Sequence, residues 1–280
     1  MSPRTLAVLP ARDESRALPG VLAELRSLRR DWDVLVVDDG SSDGSSVVAR
    51  AAGARVVRHS VRLGYATACQ TGYRYAVRNG YDVVVQLDAD GQHRPEDAEA
   101  LWRAVADERA DCAIGSRFLG EGGSAMSFPR RAVVAFYRAL LLAAAGRRIT
   151  DPTSGFLALS RRAVELCALD VVPMNYPDVS ILLCLSRAGM RTTERPARMR
   201  PRRYGRSMHT AAGFPGYALE VAAGVLAVLT RRTGSVEALS LRGSRRAAIA
   251  KNLIQEAALG VEELERLKER VLSRSAPIPG

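Results

Sequence analysis

Lysine is almost missing from this sequence, although lysine and arginine together account for 41 of its 280 residues. The two lysines are Lys251 and Lys268, so the first 250 residues carry their positive charge on arginine. No glycine-rich loop follows the first apolar run either. A nucleotidyltransferase would use such a loop and a lysine to hold phosphates, so both absences argue against that class of enzyme.

Cysteine and aromatic residues are also scarce. Four cysteines, none of them in a CxxC pair, are far apart in the chain, which predicts reduced core residues rather than metal ligands. The formal charge is +11, yet aromatic residues make up 5% of the chain. Binding of single-stranded nucleic acid needs aromatic side chains among the basic ones. We therefore expect no nucleic-acid partner.

Long apolar runs are absent as well. Arg138 interrupts the apolar stretch 132–145 and Glu220 interrupts 217–230, so neither reaches the length that spans a bilayer. The first ten residues show no charged and then apolar leader. These features predict a cytoplasmic protein. The hydrophobic content of 47% is sufficient for one large core with an appendage.

The sequence does contain a regular alternation of strand-like and helix-like segments. Apolar runs predict strands at residues 6–9, 34–37, 55–58, 83–87 and 112–115, with helical patterns between them. This alternation predicts an α/β fold with a mostly parallel, Rossmann-like sheet flanked by helices. We assign residues 1–212 to this domain and residues 213–280 to a helical C-terminal extension.

Two carboxylates follow the apolar run 83–87. Asp88 and Asp90 are separated by one residue, and Gly91 and Gln92 come next. Ligands of open α/β sheets bind at the carboxyl ends of the strands, and hard divalent cations prefer oxygen ligands. The pair therefore predicts a metal site. The alternative is that both residues form a turn or cap the following helix.

Seven short motifs occur in order along the chain. They read LPARDE from Leu9, VDDGSSDG from Val37, LGYA from Leu63, DADGQ from Asp88, GSRF from Gly115, DPTSGF from Asp151 and RRYGRS from Arg202. In this order they resemble the family 2 glycosyltransferases, which have the GT-A fold. The last two motifs most resemble the branch that glycosylates polyprenyl or dolichyl phosphates. The resemblance extends over residues 4–209.

The resemblance implies an enzyme that takes a sugar from a nucleoside diphosphate. Asp88, Asp90 and Gln92 would hold a divalent metal, Mn²⁺ or Mg²⁺, that neutralises charge on the leaving diphosphate, which gives Asp90 a catalytic role. The family usually has Tyr-Asn where this chain has Arg12-Asp13, so Arg12 is left either to a phosphate or to stacking on the base. The nucleotide site would consist of Pro10, Ala11, Arg12, Asp13, Glu14, Asp39, Gly64 and Asp88.

The resemblance also implies residues for the acceptor. Asp178 would act as general base for a hydroxyl acceptor, with a helix N-cap as the alternative; a phosphate acceptor is already ionised and needs no base. Arg117 and Arg131 would hold the sugar or the diphosphate, and the alternative for Arg131 is a charged helix start beside Pro129. The segment 191–207 contains seven Arg and one Glu. It is interpreted as a phosphate site, and the alternative is a solvated charged surface. Its candidates for a phosphate site are Arg202, Arg203, Arg206 and Ser207.

Taken together, the resemblance implies a metal-dependent, inverting glycosyltransferase that uses a UDP- or GDP-linked sugar, with polyprenyl phosphate as the lead acceptor. The alternatives are a soluble hydroxyl acceptor, such as a glycan or natural product, and a non-catalytic protein that binds nucleotide sugars. We expect the protein in the cytoplasm, peripheral on the inner face of the membrane. Residues 214–232 are interpreted either as an interfacial helix or as a contact with the domain or a second copy in a homodimer.

Overall fold

The computed structural model describes residues 2–107, 110–120, 128–169 and 177–204, and of residues 128–130, 177 and 178 the backbone alone. The predicted domain boundary at residue 212 and the predicted extension 213–280 lie outside these ranges and stay predictions. Within the described ranges, no helix is both long and apolar enough to cross a bilayer.

The described residues form seven strands and seven helices that alternate through most of the chain. The strands are β1 (Thr5–Ala11), β2 (Asp33–Asp38), β3 (Arg55–Arg58), β4 (Val83–Gln86), β5 (Cys112–Ser116), β6 (Leu157–Ser160) and β7 (Thr192–Pro196). The helices are α1 (Leu18–Leu28), α2 (Ser45–Ala51), α3 (Tyr65–Arg78), α4 (Pro95–Ala106), α5 (Phe128–Ala145), α6 (Arg161–Cys167) and α7 (Pro177–Arg187).

The strands form one sheet in the order β3-β2-β1-β4-β6-β5-β7. Strands β1 to β4 pair in parallel, as do β5 and β7, whereas β6 is antiparallel to both β4 and β5. The predicted α/β fold with a mostly parallel sheet is confirmed, as are the five predicted strands. The sequence left 157–160 undecided between strand and helix. It gave no sign of β7, an edge strand of mostly polar residues, four of which are half-buried while Pro196 is exposed.

The core lies on both faces of the central strand β1, in which all seven residues are buried. On one face Ala7 and Leu9 belong to an apolar cluster with Leu22 and Leu25 of α1 and Leu101 of α4. On the other face α3 packs directly on the sheet. Burial on both faces explains why β1 and β4 are continuous apolar runs.

The contact between α3 and β1 depends on Gly72, and this generates a stability prediction. A methyl group at Gly72 would overlap Cγ1 of Val8, so Gly72→Ala should lower the free energy of unfolding by about 1–3 kcal/mol, as overpacking does. Gly20 in α1 has nothing within 4 Å of an added Cβ, so Gly20→Ala should instead raise stability by up to about 1 kcal/mol. Urea unfolding of both variants measures the difference, and equal effects would contradict this packing.

Candidate active site

Four strands bring their carboxyl ends to one edge of the sheet. In the pairing of β1 with β2, Ala11 lies opposite Asp38, and in the pairing with β4, Val8 lies opposite Gln86. β5 runs in the same direction as β4 because β6 is antiparallel to both. The loops that follow β1, β2, β4 and β5 therefore leave from the same edge, which is where ligands of open α/β sheets bind.

An arginine joins two acidic side chains at this edge. Arg202 donates from Nε and Nη2 to Oδ2 of Asp90, at 3.2 and 2.8 Å, and from Nη2 to Oε1 of Glu14 at 3.2 Å. Both acids are buried, with Glu14 8% and Asp90 7% exposed. The guanidinium therefore compensates two carboxylates that come from different strand ends, and three distant motifs meet in one charged cluster.

Glu14 has the most perturbed environment in this cluster. The pKa of Glu14 is raised to about 7, mainly by burial; Arg202 opposes the rise, and the charges of Asp90, Asp43 and Asp88 add to it. Its Oε2 atom is buried and has no hydrogen-bond partner. A carboxylate oxygen left in this state among other acids is suited to a cation or to a donor group of a ligand.

Asp88 lies on the same loop as Asp90, and two aromatic side chains hold it there. The Tyr65 hydroxyl donates to Oδ1 of Asp88 at 3.0 Å, and Nδ1 of His93 accepts the backbone N–H of Asp88 at 2.9 Å. His93 is buried and stacked on Phe156, with ring centroids 4.5 Å apart. Because Nδ1 is an acceptor, His93 serves the loop rather than a ligand through that atom. The chain turns at residues 89–90.

The hydroxyl of Tyr65 belongs to a longer hydrogen-bond chain under the loop. Gln86 donates from Nε2 to the Tyr65 hydroxyl at 3.3 Å and to the carbonyl of Gly155 at 2.8 Å, while the buried Tyr73 hydroxyl donates to Oε1 of Gln86. Sequence reasoning missed these supporting residues. Gln86 was visible as a polar residue at the end of an apolar strand, but no spacing in the sequence indicated Tyr73 as its partner.

Asp39 holds a neighbouring loop. Its Oδ1 accepts the backbone N–H of Leu63 at 2.7 Å and contacts Nδ1 of His59 at 2.9 Å, and its Oδ2 accepts the backbone N–H of Gly64 at 2.8 Å. Burial opposes ionisation of Asp39, but the hydrogen bonds from His59, Leu63 and Gly64 outweigh it and lower its pKa. Both carboxylate oxygens thus position the loop that begins α3.

The remaining residues predicted for the nucleotide lie at the carboxyl end of β1 and in the loop after it. Pro10 and Ala11 are buried within β1. Asp13 has a positive φ of 54°, and its Oδ1 accepts the backbone N–H of Ser42 at 2.8 Å, which ties this loop to the one after β2. Arg12 is exposed, with its Nε 3.7 Å from a carboxylate oxygen of Asp13.

The side chain of Arg117 forms an ion pair with a buried carboxylate. Its Nε and Nη2 donate to the two carboxylate oxygens of Asp151, each at 2.7 Å, and Nη2 also donates to Oγ1 of Thr153 at 2.7 Å. Asp151 is fully buried. This bidentate pair joins the GSRF and DPTSGF motifs, so the geometry supports a structural role for Arg117 at the rim of the site.

The other predicted residues are placed as follows. Gln92 donates from its side-chain amide to the carbonyl of Arg200 at 3.3 Å, and its backbone N–H to Oδ1 of Asp90 at 2.9 Å. Arg131 and Arg203 are exposed. Asp178 lies in the first turn of α7, where its backbone alone is described. Arg206 and Ser207 lie outside the described residues.

The acidic residues fit a hard divalent cation. Within the described ranges, no group of three His, Cys, Asp or Glu side chains has the arrangement of a metal centre. Mg²⁺ usually takes only one or two carboxylates and completes its shell with phosphates and water. Asp88, Asp90 and the unpartnered oxygen of Glu14 provide such oxygen donors at one edge of the sheet.

The raised pKa of Glu14 predicts a pH dependence of stability. Ionisation costs more in the folded state than in the unfolded state, so this group's contribution to stability falls as pH rises from 4.5 to about 7 and is constant above. Relative to Glu14→Gln, the wild-type protein should lose roughly 3 kcal/mol across that interval. Urea unfolding of both proteins between pH 4.5 and 8 measures it, and a pH-independent difference would contradict the shift.

Known proteins with similar sequences support the family resemblance that these motifs show. The Glycosyl transferase family 2 profile matches residues 7–167. An undecaprenyl-phosphate mannosyltransferase from Micrococcus luteus is 34% identical over 217 residues, which cover 73% of this chain and 86% of that protein. A polyprenol monophosphomannose synthase from Mycolicibacterium smegmatis is 34% identical over 180 residues, 60% of this chain and 66% of that protein.

The fold is also shared with a solved structure. Glucosyl-3-phosphoglycerate synthase from Mycobacterium tuberculosis, in complex with Mn²⁺, uridine diphosphate and glucosyl-3-phosphoglycerate, superposes with a TM-score of 0.60 at 20% identity. The match covers 82% of this chain and 81% of that one. At this identity the likeness concerns the fold, whereas the sequence matches identify the family. The chain belongs to glycosyl transferase family 2 and is a glycosyltransferase.

Proposed function

We propose that this glycosyltransferase moves a sugar from a nucleoside diphosphate to a polyprenyl phosphate, with inversion and with the help of a divalent metal. The observation that carries the proposal is the cluster of Glu14, Asp90 and Arg202 at the carboxyl edge of the sheet. It offers carboxylates for a cation and a guanidinium for phosphate oxygens within one site.

The donor half of the proposal rests on loops that are tied together by the protein's own hydrogen bonds. Asp13 joins the loops after β1 and β2, and Asp39 holds the backbone of Leu63 and Gly64. These contacts give the nucleoside a fixed surface beside the acids. The M. tuberculosis synthase of the same fold binds Mn²⁺ and a uridine diphosphate, which favours UDP as the first donor nucleotide to test, with GDP as the alternative.

For the metal, the proposal assigns Asp88 and Asp90 as ligands, with Gln92 as a further candidate. When bound, the metal supplies Lewis-acid stabilisation of the charge on the departing diphosphate. Tyr65 and His93 hold the Asp88 loop in one orientation. Arg202 adds a positive charge beside the same oxygens, which also favours the diphosphate as it leaves.

The acceptor half of the proposal rests on chemistry and on the relatives. The M. luteus and M. smegmatis proteins are named for undecaprenyl phosphate and a polyprenol monophosphate product. An oxygen of such a phosphate attacks the anomeric carbon as the bond from that carbon to the diphosphate breaks, and it needs no general base. Arg203 is exposed and, among the described residues, its side chain makes no hydrogen bond or ion pair, so it is the candidate for the acceptor phosphate.

A soluble hydroxyl acceptor is the second candidate for this reaction. It is favoured by Asp178 at the start of α7, because a carboxylate near the acceptor removes the proton of a hydroxyl. A hydroxyl acceptor needs the carboxylate of Asp178 as general base, whereas a phosphate acceptor does not. Association with the inner face of a membrane follows from the lipid acceptor and is part of the same proposal.

The metal role predicts a loss of both binding and transfer in Asp90→Asn. Neutralising this ligand should reduce the metal-dependent rise in melting temperature with UDP- or GDP-sugars, because a ligand stabilises only the state that binds it, and transfer should fall at least about 100-fold. Asp107→Asn, at an exposed acid after α4, is the matched control. A metal-independent donor response in wild type would contradict the metal role.

The acceptor proposal predicts a mild effect of Asp178→Asn. Transfer to a short-chain polyprenyl phosphate should fall less than about tenfold, whereas loss of a general base costs about 10²–10⁴-fold. Transfer rates with saturating donor measure the effect, and Asp107→Asn again serves as control. A severe loss with unchanged donor binding would favour the hydroxyl acceptor.

A further inference from the structure

We propose that the outer face of α5 is a docking surface for an anionic lipid bilayer. This inference rests on the proposed function, because a lipid acceptor requires the domain to meet a membrane. The surface lies within the catalytic domain and is distinct from the C-terminal stretch 214–232. It is formed by one exposed, entirely apolar stripe of α5 and by the arginines at both ends of that stripe.

The stripe is defined by its exposure and its helical spacing. Ala132, Ala135, Phe136, Ala139, Leu142 and Ala143 are all exposed. At 100° per residue they occupy one arc of about 120°. The opposite side of the helix buries Val134, Tyr137 and Leu141. α5 is thus apolar on both sides although one side is exposed, and a helix that is hydrophobic all round is normally covered.

The charges around the stripe identify what covers it. α5 has no acidic residue, while exposed Arg131 precedes the stripe and exposed Arg147 and Arg148 follow it. Among the described residues, the side chains of these three arginines make no hydrogen bond or ion pair. An apolar stripe with cationic ends matches an anionic bilayer, in which the acyl region receives the stripe and the headgroups receive the arginines.

A second copy of the chain fits the same surface poorly. In a two-fold contact each patch meets its own equivalent. If two α5 helices cross antiparallel, Arg131 of one copy approaches Arg147 and Arg148 of the other, and if they run parallel, each arginine approaches its own equivalent. Both arrangements bring like charges together at both ends, with no acid on the helix to compensate.

The position of α5 connects this surface to the site. Nε of Arg138, midway along the helix, donates to the carbonyl of Thr150 at 2.6 Å, and its guanidinium lies 4.5 Å from the ring centroid of Phe118. Phe118 and Thr150 flank the Arg117–Asp151 pair at the carboxyl edge of the sheet. A cavity of about 430 Å³, lined in part by Leu142, Arg147 and Arg148, opens beside the end of the stripe. The volume is in the range that accommodates a small ligand group such as a lipid headgroup.

Vesicle sedimentation with the full chain tests the surface. In Phe136→Ser/Leu142→Ser, partition onto phosphatidylcholine vesicles containing phosphatidylglycerol should fall about tenfold or more, from the apolar area lost. The control Leu28→Ser/Val47→Ser changes two hydrophobic residues of similar or greater exposure, 47% and 70% against 52% and 44%, and should partition like wild type. Arg147→Gln and Arg148→Gln should each reduce partition roughly fivefold at low salt. Equal partition of both double variants would overturn the proposal.

A fluorescent label distinguishes the bilayer from other occupants. The native cysteines Cys69, Cys112, Cys167 and Cys184 are buried, so a thiol introduced by Phe136→Cys takes the label. Its emission should shift to the blue with anionic vesicles and remain unchanged with neutral ones. A label already shielded from a soluble quencher before vesicles are added would overturn the proposal in favour of the chain's own C-terminal segment. Dissociation of a dimer in Phe136→Ser/Leu142→Ser would do so in favour of a second copy.

Two acceptor formats separate this inference from the proposed function. Phe136→Ser/Leu142→Ser should transfer normally to a water-soluble short-chain polyprenyl phosphate and lose activity only on acceptor embedded in vesicles. Equal transfer to both formats would overturn the docking surface while the proposed function stands. Absence of transfer in wild type with either format would refute the proposed function, and sedimentation would still decide whether the stripe binds vesicles.

Discussion

Buried negative charge at the carboxyl edge of the sheet is the constraint on which the rest of this domain depends. Glu14 and Asp90 are almost fully buried, and isolated carboxylates in such a position are costly unless a cation compensates them. Arg202 provides that charge from 112 residues beyond Asp90. The chain must therefore return to β1 and β4 after completing the far side of the sheet.

The antiparallel strand β6 makes this return compatible with the sheet. It lies between β4 and β5 and pairs with both, so the DPTSGF motif before it lies at the same edge as the acids. β7 pairs in parallel with β5 and ends at that edge too, which delivers the arginine-rich segment to the cluster. One reversed strand thus lets motifs far apart in sequence share a single rim.

The strands and helices could be predicted from the sequence more completely than the contacts between them. Continuous apolar runs identified β1, β2 and β4 because these strands are buried on both faces, whereas β7 is half-buried at an edge and carries no comparable pattern. The two carboxylates after β4 were visible as candidate metal ligands by their residue type and position, and that assignment stays a prediction. The ion pair of Arg202 with Asp90 and that of Arg117 with Asp151 were not, because local spacing holds no information on which distant charges meet. Exposure of the α5 stripe likewise depends on tertiary packing, since the sequence shows only that the helix is apolar.

The hydrogen bonds of Asp39 have a consequence for the thermodynamics of donor binding. Its two oxygens fix the backbone of Leu63 and Gly64 through separate N–H groups, so the protein's own hydrogen bonds hold the loop at the start of α3. Ordering a loop during association would subtract from the affinity. In the proposed donor site, folding and not the nucleotide orders this loop, so the proposed nucleotide would keep more of its interaction energy as net binding.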